Sequence, residues 1–192
     1  FISKLYSVII TNTKFIGNTL KCGSGGALFA ESYFLTLNNC RFVSNTACIL
    51  FERTYHGICG DRSIHIKFSN GGAVKVGQVH LLVIIDTMFV KNKAFLGGGL
   101  MLYPLPYPMT SADTVILTNC SFHHNMAVGH GGGVFFGRTL TLILQNCVII
   151  NNTSTHCYGG GLKINDGKAN ISYTLFDYNM AKAGGALYQS AG

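Results

Sequence analysis

The chain has 192 residues, of which 48% are hydrophobic and 11% are charged, and its net charge is +7. This composition excludes a disordered chain, because the apolar residues suffice to build a core. The absence of any apolar run of eighteen residues excludes a membrane-spanning helix. Only two glutamates stand against 24 glycines, a balance that favours strands and turns over helices. The basic residues are scattered singly, which argues against a nucleic-acid partner and supports only a mild attraction to acidic glycans or anionic membranes.

A repeated pattern runs through the whole chain: a phenylalanine, an asparagine three positions later, and then a glycine pair or triplet. The phenylalanine column comprises Phe15, Phe42, Phe68, Phe89, Phe122, Ile149 and Phe176. The asparagines are Asn18, Asn45, Asn92, Asn125, Asn152 and Asn179, with Asn70 one position early in the third repeat. Self-similarity at this period is typical of a solenoid. We therefore predict one repeat array over residues 1–192, of about seven coils, the third of them irregular.

Apolar residues alternate with polar ones on both sides of this motif. Leu35 and Leu37 precede one phenylalanine, and Val74 and Val76 follow a glycine pair with Lys75 at the outward position between them. Period two indicates strands with one buried face, and parallel strands that alternate in this way are typical of a sheet coiled into a β-helix. We predict an all-β, right-handed parallel β-helix, since parallel crossovers favour that hand. A leucine-rich repeat fits less well, because glycines and a second strand occupy the place of its helical segment.

The turn residues support this fold. Stacked asparagines can form an amide ladder between coils, and we expect them to adopt the left-handed backbone that sharp corners require. The three prolines fall together in a segment read as a loop insertion, residues 103–113. Residues 46–62 lack the glycine pair and are read as an irregular coil with a protruding loop. The chain ends without a polar closing coil, so we expect an excerpt of a longer protein.

The Phe-x-x-Asn and Gly-Gly-Ala-aliphatic motifs, such as Gly25 to Leu28 and Gly184 to Leu187, resemble the repeats of the chlamydial polymorphic outer-membrane proteins. More broadly, the pattern is similar to right-handed β-helices of the pectin-lyase type. Three repeats carry Gly-Gly-Gly instead of Gly-Gly-Ala, and the third departs from both motifs. The resemblance implies a surface-displayed, adhesin-like passenger, attached to a membrane only through parts that this chain does not include.

Two positions before the phenylalanine of the motif, most repeats carry either cysteine or threonine. The cysteines at this position are Cys40, Cys120 and Cys147. We interpret these cysteines as small buried residues, although Cys120 and Cys147 would stack closely enough for a disulfide. Cys48 and Cys59, in the irregular segment, are the better candidates for a disulfide in an oxidising compartment. Seven cysteines is an odd number, so at least one is free or pairs elsewhere.

Neither the histidines nor the carboxylates form a recognisable catalytic or metal-binding pattern. His123, His124, His130, His156 and Cys157 gather near one corner without zinc-ligand spacing, so we read them as surface residues and expect no cofactor. Lyases and hydrolases of this fold need carboxylates clustered on neighbouring coils, and no aligned column contains two acids. We therefore expect a non-catalytic, cell-surface or secreted module that serves as an adhesin-like passenger or spacer. A glycan-binding module is the alternative, followed by a polysaccharide lyase or hydrolase whose active site lies outside this segment.

One outward position defines a candidate binding stripe for glycans or cell-surface proteins. Its residues are Phe29, Lys75, Met101, Phe135, Lys163 and Tyr188. Stacked at about 4.8 Å per coil, they would form an exposed ridge of aromatic rings for sugars and lysines for acidic groups. Three other readings remain open: plain β propensity, cover by the 103–113 loop, and lateral packing of two solenoids.

Overall fold

The computed structural model describes residues 2–21, 23–47, 70–77, 79–102, 113–137 and 141–190. Within these ranges the chain forms 22 β-strands and no helix. Every strand pairing among them is parallel. The described residues contain no helix that could span a membrane. The predicted all-β class is confirmed.

The strands form three sheets, which we call the large, phenylalanine and narrow sheets. The large sheet contains β1 (Ile2–Thr11), β4 (Leu28–Asn38), β7 (Val74–Val76), β8 (Leu81–Ile85), β11 (Leu100–Leu102), β12 (Thr114–Thr118), β15 (Val134–Phe136), β16 (Thr141–Gln145), β19 (Leu162–Asn165), β20 (Lys168–Ser172) and β22 (Leu187–Ser190). The phenylalanine sheet contains β2 (Lys14–Ile16), β5 (Arg41–Val43), β9 (Met88–Val90), β13 (Ser121–His123), β17 (Val148–Ile150) and β21 (Leu175–Asp177). The narrow sheet contains β3 (Thr19–Leu20), β6 (Thr46–Ala47), β10 (Lys93–Ala94), β14 (Met126–Ala127) and β18 (Thr153–Ser154).

The chain visits these sheets in a fixed order: large, phenylalanine, narrow, then large again. Each strand pairs with the equivalent strand of the turn before and the turn after, as β13 pairs with β9 and β17. The result is a solenoid-like stack compatible with a parallel β-helix. Its interior is lined by inward residues of the large and phenylalanine sheets, which form one continuous buried cluster, and the narrow sheet adds small buried residues such as Ala94 and Ala127.

The predicted count of seven coils is not confirmed. Within the described residues the phenylalanine sheet has six strands, and Phe42 pairs directly with Phe89. No strand lies between β5 and β9, so the motif match at Phe68 does not add a row at this point. Phe68 itself, and the predicted loop residues 48–62 and 103–112, lie outside the described residues.

Each turn of the stack has three sharp corners, marked by backbone of positive φ. The first corner holds Asn12, Asn39, Asp86, Asn119 and Asn146 at φ near 50°, so Asp86 is the turn residue that the alignment predicts. The third corner holds the first glycine of each pair or triplet. At the second corner, however, the left-handed residue is the one before the ladder asparagine, such as His124 before Asn125. The expectation that the ladder asparagines themselves are left-handed is wrong, because their side chains point inward from ordinary backbone.

The two glycines of each pair have different tasks, as Gly131 and Gly132 illustrate. Gly131 has φ +66°, a conformation that L side chains rarely adopt. Gly132 lies against the narrow sheet, where an added Cβ would meet the carbonyl oxygen of Thr153 at 2.5 Å. The first glycine therefore permits the bend, and the second permits the close approach of two backbones.

Two stacks run through the core. The rings of Phe15, Phe42, Phe89 and Phe122 lie nearly parallel, with centroids 4.6 to 5.0 Å apart. Beside them the asparagines form the predicted ladder, in which each Nδ2 donates to the Oδ1 of the next turn, as from Asn92 to Asn125 at 2.9 Å. The same oxygen accepts the backbone N–H of Asn92 at 3.0 Å. Asn70 does not join this ladder and instead bridges to Leu96 in the backbone before the glycines.

Candidate functional site

The six residues of the stripe lie in one continuous row across the large sheet. Phe29 pairs with Lys75, Lys75 with Met101, and Met101 with Phe135. Phe135 then pairs with Lys163, and Lys163 with Tyr188. The structure thus brings together all six positions that the repeat alignment selected.

The expected exposure of this row is only partly seen. Phe29, Lys75 and Tyr188 are half-buried, whereas Met101, Phe135 and Lys163 are 2%, 4% and 3% exposed. Exposure of these three central side chains is therefore a wrong expectation. Neighbours in adjacent turns and a second row of side chains pack against the stripe, which reduces its accessible area.

The second row comes from the position before the first glycine and includes His130 and Tyr158. The ring of His130 lies 6.1 Å from that of Phe135 and 5.3 Å from that of Tyr158. Tyr158 in turn stacks on Tyr188, with centroids 4.6 Å apart and an interplanar angle of 15°. Repeat alignment could have found this row, because both residues directly precede a Gly-Gly-Gly triplet. The half-buried rings of Tyr158 and Tyr188 form the accessible aromatic part of the surface.

Lys163 is held by polar neighbours inside this surface. Its ammonium donates to Ser190 Oγ at 2.6 Å and to Asn165 Oδ1 at 2.9 Å, and it lies 4.5 Å from the ring centroid of Tyr188. Ser190 Oγ also donates to Asn165 Oδ1 at 2.7 Å. These hydrogen bonds and the cation–π contact compensate the burial of a charged group.

Lys75 is the second cation of the stripe. Its ammonium lies 5.3 Å from the ring centroid of Phe29 and donates to Ser24 Oγ at 3.3 Å. Burial lowers the pKa of Lys75 below its ordinary value, and the nearby charge of Glu31 acts in the opposite direction. Both lysines of the stripe therefore sit against an aromatic ring at the same outward position.

The cysteine column is a hydrogen-bonding position rather than a disulfide. Cys40, Cys120 and Cys147 are buried free thiols. Cys120 Sγ donates to the carbonyl of Thr118, two residues earlier, at 3.3 Å. Thr87 Oγ1 makes the same bond to Ile85 at 2.8 Å. Cysteine and threonine therefore exchange here because both are small and carry a donor that reaches this carbonyl.

Cys157 is disulfide-bonded, and its sulfur is not joined to any of these three free thiols. Nothing in the sequence marks Cys157 as a disulfide cysteine, because it lies beside a cluster of histidines. The predicted pair Cys48 and Cys59 lies outside the described residues.

We expect the buried Cys120 thiol to resist alkylation in the folded protein. The hydrogen bond with Cys147 and burial raise the pKa of Cys120 well above its ordinary value, so the reactive thiolate is scarce at neutral pH. Treatment with iodoacetamide followed by peptide mass mapping should modify Cys120 only after unfolding, and Cys157 only after reduction. Rapid modification of Cys120 in the native protein would contradict this assignment.

The described residues contain no group of three or more histidine, cysteine or acidic side chains placed to hold a metal ion. Burial lowers the pKa of His123, and the adjacent His124 acts in the same direction. His80 Nδ1 and Asp113 Oδ1 lie within hydrogen-bond distance, at 2.8 Å. This contact lies at the edge of a stack formed by the rings of Tyr6, Tyr33 and His80.

Comparisons with known proteins give one similarity. No family model matches this chain, and no solved structure matches it. The chain is similar to the metabotropic glutamate receptor-like protein R of Dictyostelium discoideum, with 29% identity over 131 residues. The alignment covers 68% of this chain but 8% of that protein. The chain therefore matches a small segment of its relative, and the relative's activity does not follow from the match.

Proposed function

We propose that this chain is a right-handed parallel β-helix module of a larger cell-surface or secreted protein, and that it acts as a non-catalytic adhesin-like passenger or spacer. The observation that carries the proposal is the stack of phenylalanine rings from Phe15 to Phe122, continued by Ile149 and Phe176, with the ladder of asparagine amides beside it. Such a stack makes a stiff rod, which holds whatever is attached to it at a set distance. Surface display is also the role implied by the resemblance to polymorphic outer-membrane protein repeats and pectin-lyase-type helices.

Two further observations support an extracellular location. Cys157 is disulfide-bonded, and structural disulfides persist in oxidising compartments. The similar Dictyostelium protein is named as receptor-like, which fits a surface protein.

Glycan binding is the second candidate function, favoured by the surface that contains Tyr158, Tyr188 and Lys163. Tyrosine rings offer apolar faces to sugar rings, and the buried Lys163 supports the Tyr188 ring from beneath through its cation–π contact. The polysaccharide lyase or hydrolase reading has less support, because the described carboxylates are spread over different strands and turns.

Replacing the two accessible tyrosines tests the binding reading. In the variant Tyr158→Ser/Tyr188→Ser we expect glycan-array or cell binding to fall by about tenfold or more, as is usual for aromatic anchors. Tyr173→Ser is the matched control, because Tyr173 is 85% exposed and lies at a different corner. Unchanged binding in a folded double variant would remove this surface as the binding site.

The non-catalytic assignment has a separate test. The purified chain, incubated with pectin, alginate and other acidic or neutral polysaccharides, is expected to release neither unsaturated sugars nor new reducing ends. Release of either product, abolished in a variant of one of the described carboxylates, would assign catalysis to this segment.

A further inference from the structure

Five exposed basic side chains gather on the first three turns of the phenylalanine and narrow sheets. We call them the basic patch: Lys14, Lys21, Arg41, Lys91 and Lys93. The segments that carry them, residues 14–21, 41–47 and 88–94, contain no acidic residue. The basic residues look scattered along the chain, and it is the coiling that brings them together.

Strand register places the patch on one side of the solenoid. Lys14 pairs directly with Arg41, and Arg41 pairs with Met88 in the following turn. Lys91 occupies the left-handed corner after β9, and Lys93 pairs with Thr46 just beyond it. At about 4.8 Å between turns and 3.3 Å per residue, the patch spans roughly 10 Å across the three turns and at most about 16 Å along the chain, from the row of Arg41 to Lys93.

Within the described ranges, no ion pair neutralises the charge of the patch. None of its five side chains forms an ion pair with another described residue. Along the same sheet the next acid is Asp177, three strands beyond β9, about 14 Å away at the usual spacing. Asp86 lies at the corner that precedes β9, two residues before the partner of Arg41, and its carboxylate accepts the Asn119 amide at 3.2 Å. The outer face of the phenylalanine sheet therefore carries positive charge in its first three turns and lacks it in its last three.

We propose that the basic patch is a binding site for an acidic polysaccharide, with its carboxylate or sulfate groups paired to Lys14, Arg41, Lys91 and Lys93. This site is separate from the tyrosine surface and goes beyond the proposed spacer function. Several unpaired positive groups held close together on a rigid surface complement a linear chain that carries closely spaced anionic groups.

The surroundings of the patch favour a polysaccharide over other polyanions. Single-stranded nucleic acids require aromatic side chains for base stacking, and residues 14–21, 41–47 and 88–94 carry phenylalanines only at the buried or half-buried column positions. Membrane-surface binding requires a cluster of large apolar groups that insert between headgroups, and the patch offers one such exposed group, Ile16, beside the shorter Val43, Val90 and Thr46. Short neighbours instead let an extended chain approach the cations closely.

The test compares two double variants of equal net charge. Lys91→Gln/Lys93→Gln removes two cations of the patch, whereas Lys168→Gln/Lys182→Gln removes two exposed lysines from the last turn. Binding of heparin and of polygalacturonate is measured by titration calorimetry at physiological salt, with neutral dextran, phosphatidylserine vesicles and a short DNA as comparison ligands. Circular dichroism and thermal unfolding establish that both variants are folded.

We expect the patch variant to bind the acidic polysaccharides about tenfold more weakly and the last-turn variant to bind within about twofold of the unmodified chain. Equal losses in the two variants would show non-specific attraction to the net charge and overturn the proposal. Binding to vesicles or DNA that is tighter than to either polysaccharide, or no polysaccharide binding at all, would overturn it as well. Because the tyrosine surface is intact in both variants, these outcomes are independent of the proposed function.

Discussion

Phe122→Ala is expected to lower the free energy of unfolding by about 3–5 kcal/mol, the range for removal of a fully buried aromatic side chain. Phe122 is fully buried. Its ring stacks on that of Phe89 with centroids 4.6 Å apart and an interplanar angle of 1°, and Ile149 pairs with it on the other side. The parallel strands hold these neighbours at a set spacing, so the cavity cannot collapse.

Chemical denaturation of the variant and of Phe176→Ala provides the measurement and its control. Phe176 occupies the same column but is only half-buried, so its removal should cost clearly less. Equal losses at the two positions would mean that the rings do not form a continuous internal stack.

Asn125→Leu should destabilise the fold by a comparable amount, about 3–5 kcal/mol, although leucine has nearly the same size. The Asn125 Oδ1 accepts the backbone N–H and the amide of Asn92, at 3.0 and 2.9 Å. Its Nδ2 donates to the Phe89 carbonyl at 2.9 Å. Leucine removes these bonds and leaves buried polar groups unpaired, each at a cost of about 1–3 kcal/mol.

The control for the ladder is the same change at an exposed strand position, Asn170→Leu, which should alter stability by no more than about 0.5 kcal/mol. Urea titrations of the two variants give the comparison. If Asn125→Leu were as mild as Asn170→Leu, the buried amide ladder would not be a determinant of this fold.

The features that sequence predicts well here are those that every turn repeats. A buried ring or amide packs best against a similar neighbour above and below, so residues like Phe122 and Asn125 recur in column and reveal the stack. Alternation along β12 and β16 likewise identifies the inward face, because side chains on a strand have period two.

The number of rows was not predictable in the same way. Phe68 and Asn70 match the motif only in part. Strand pairing depends on contacts between residues that are distant in the sequence, and in the structure Phe42 pairs with Phe89. The prediction that Phe135 is exposed was wrong for a similar reason. Alternation shows that its side chain leaves the core, but not that His130 lies beside it. The basic patch was not predictable either, because its residues are far apart in the sequence. Only the strand register shows that Lys14 pairs with Arg41.

The most direct test of the stack is a distance between its first and last rows, measured by electron spin resonance with labels on non-canonical residues at positions 16 and 177. Both positions are exposed and belong to one outward row of the phenylalanine sheet: Ile16, Val43, Val90, His123, Ile150 and Asp177. Five steps of about 4.8 Å predict a narrow distribution centred near 24 Å. A centre near 29 Å would indicate an additional row between Phe42 and Phe89, and a broad distribution without a defined centre would contradict the solenoid itself.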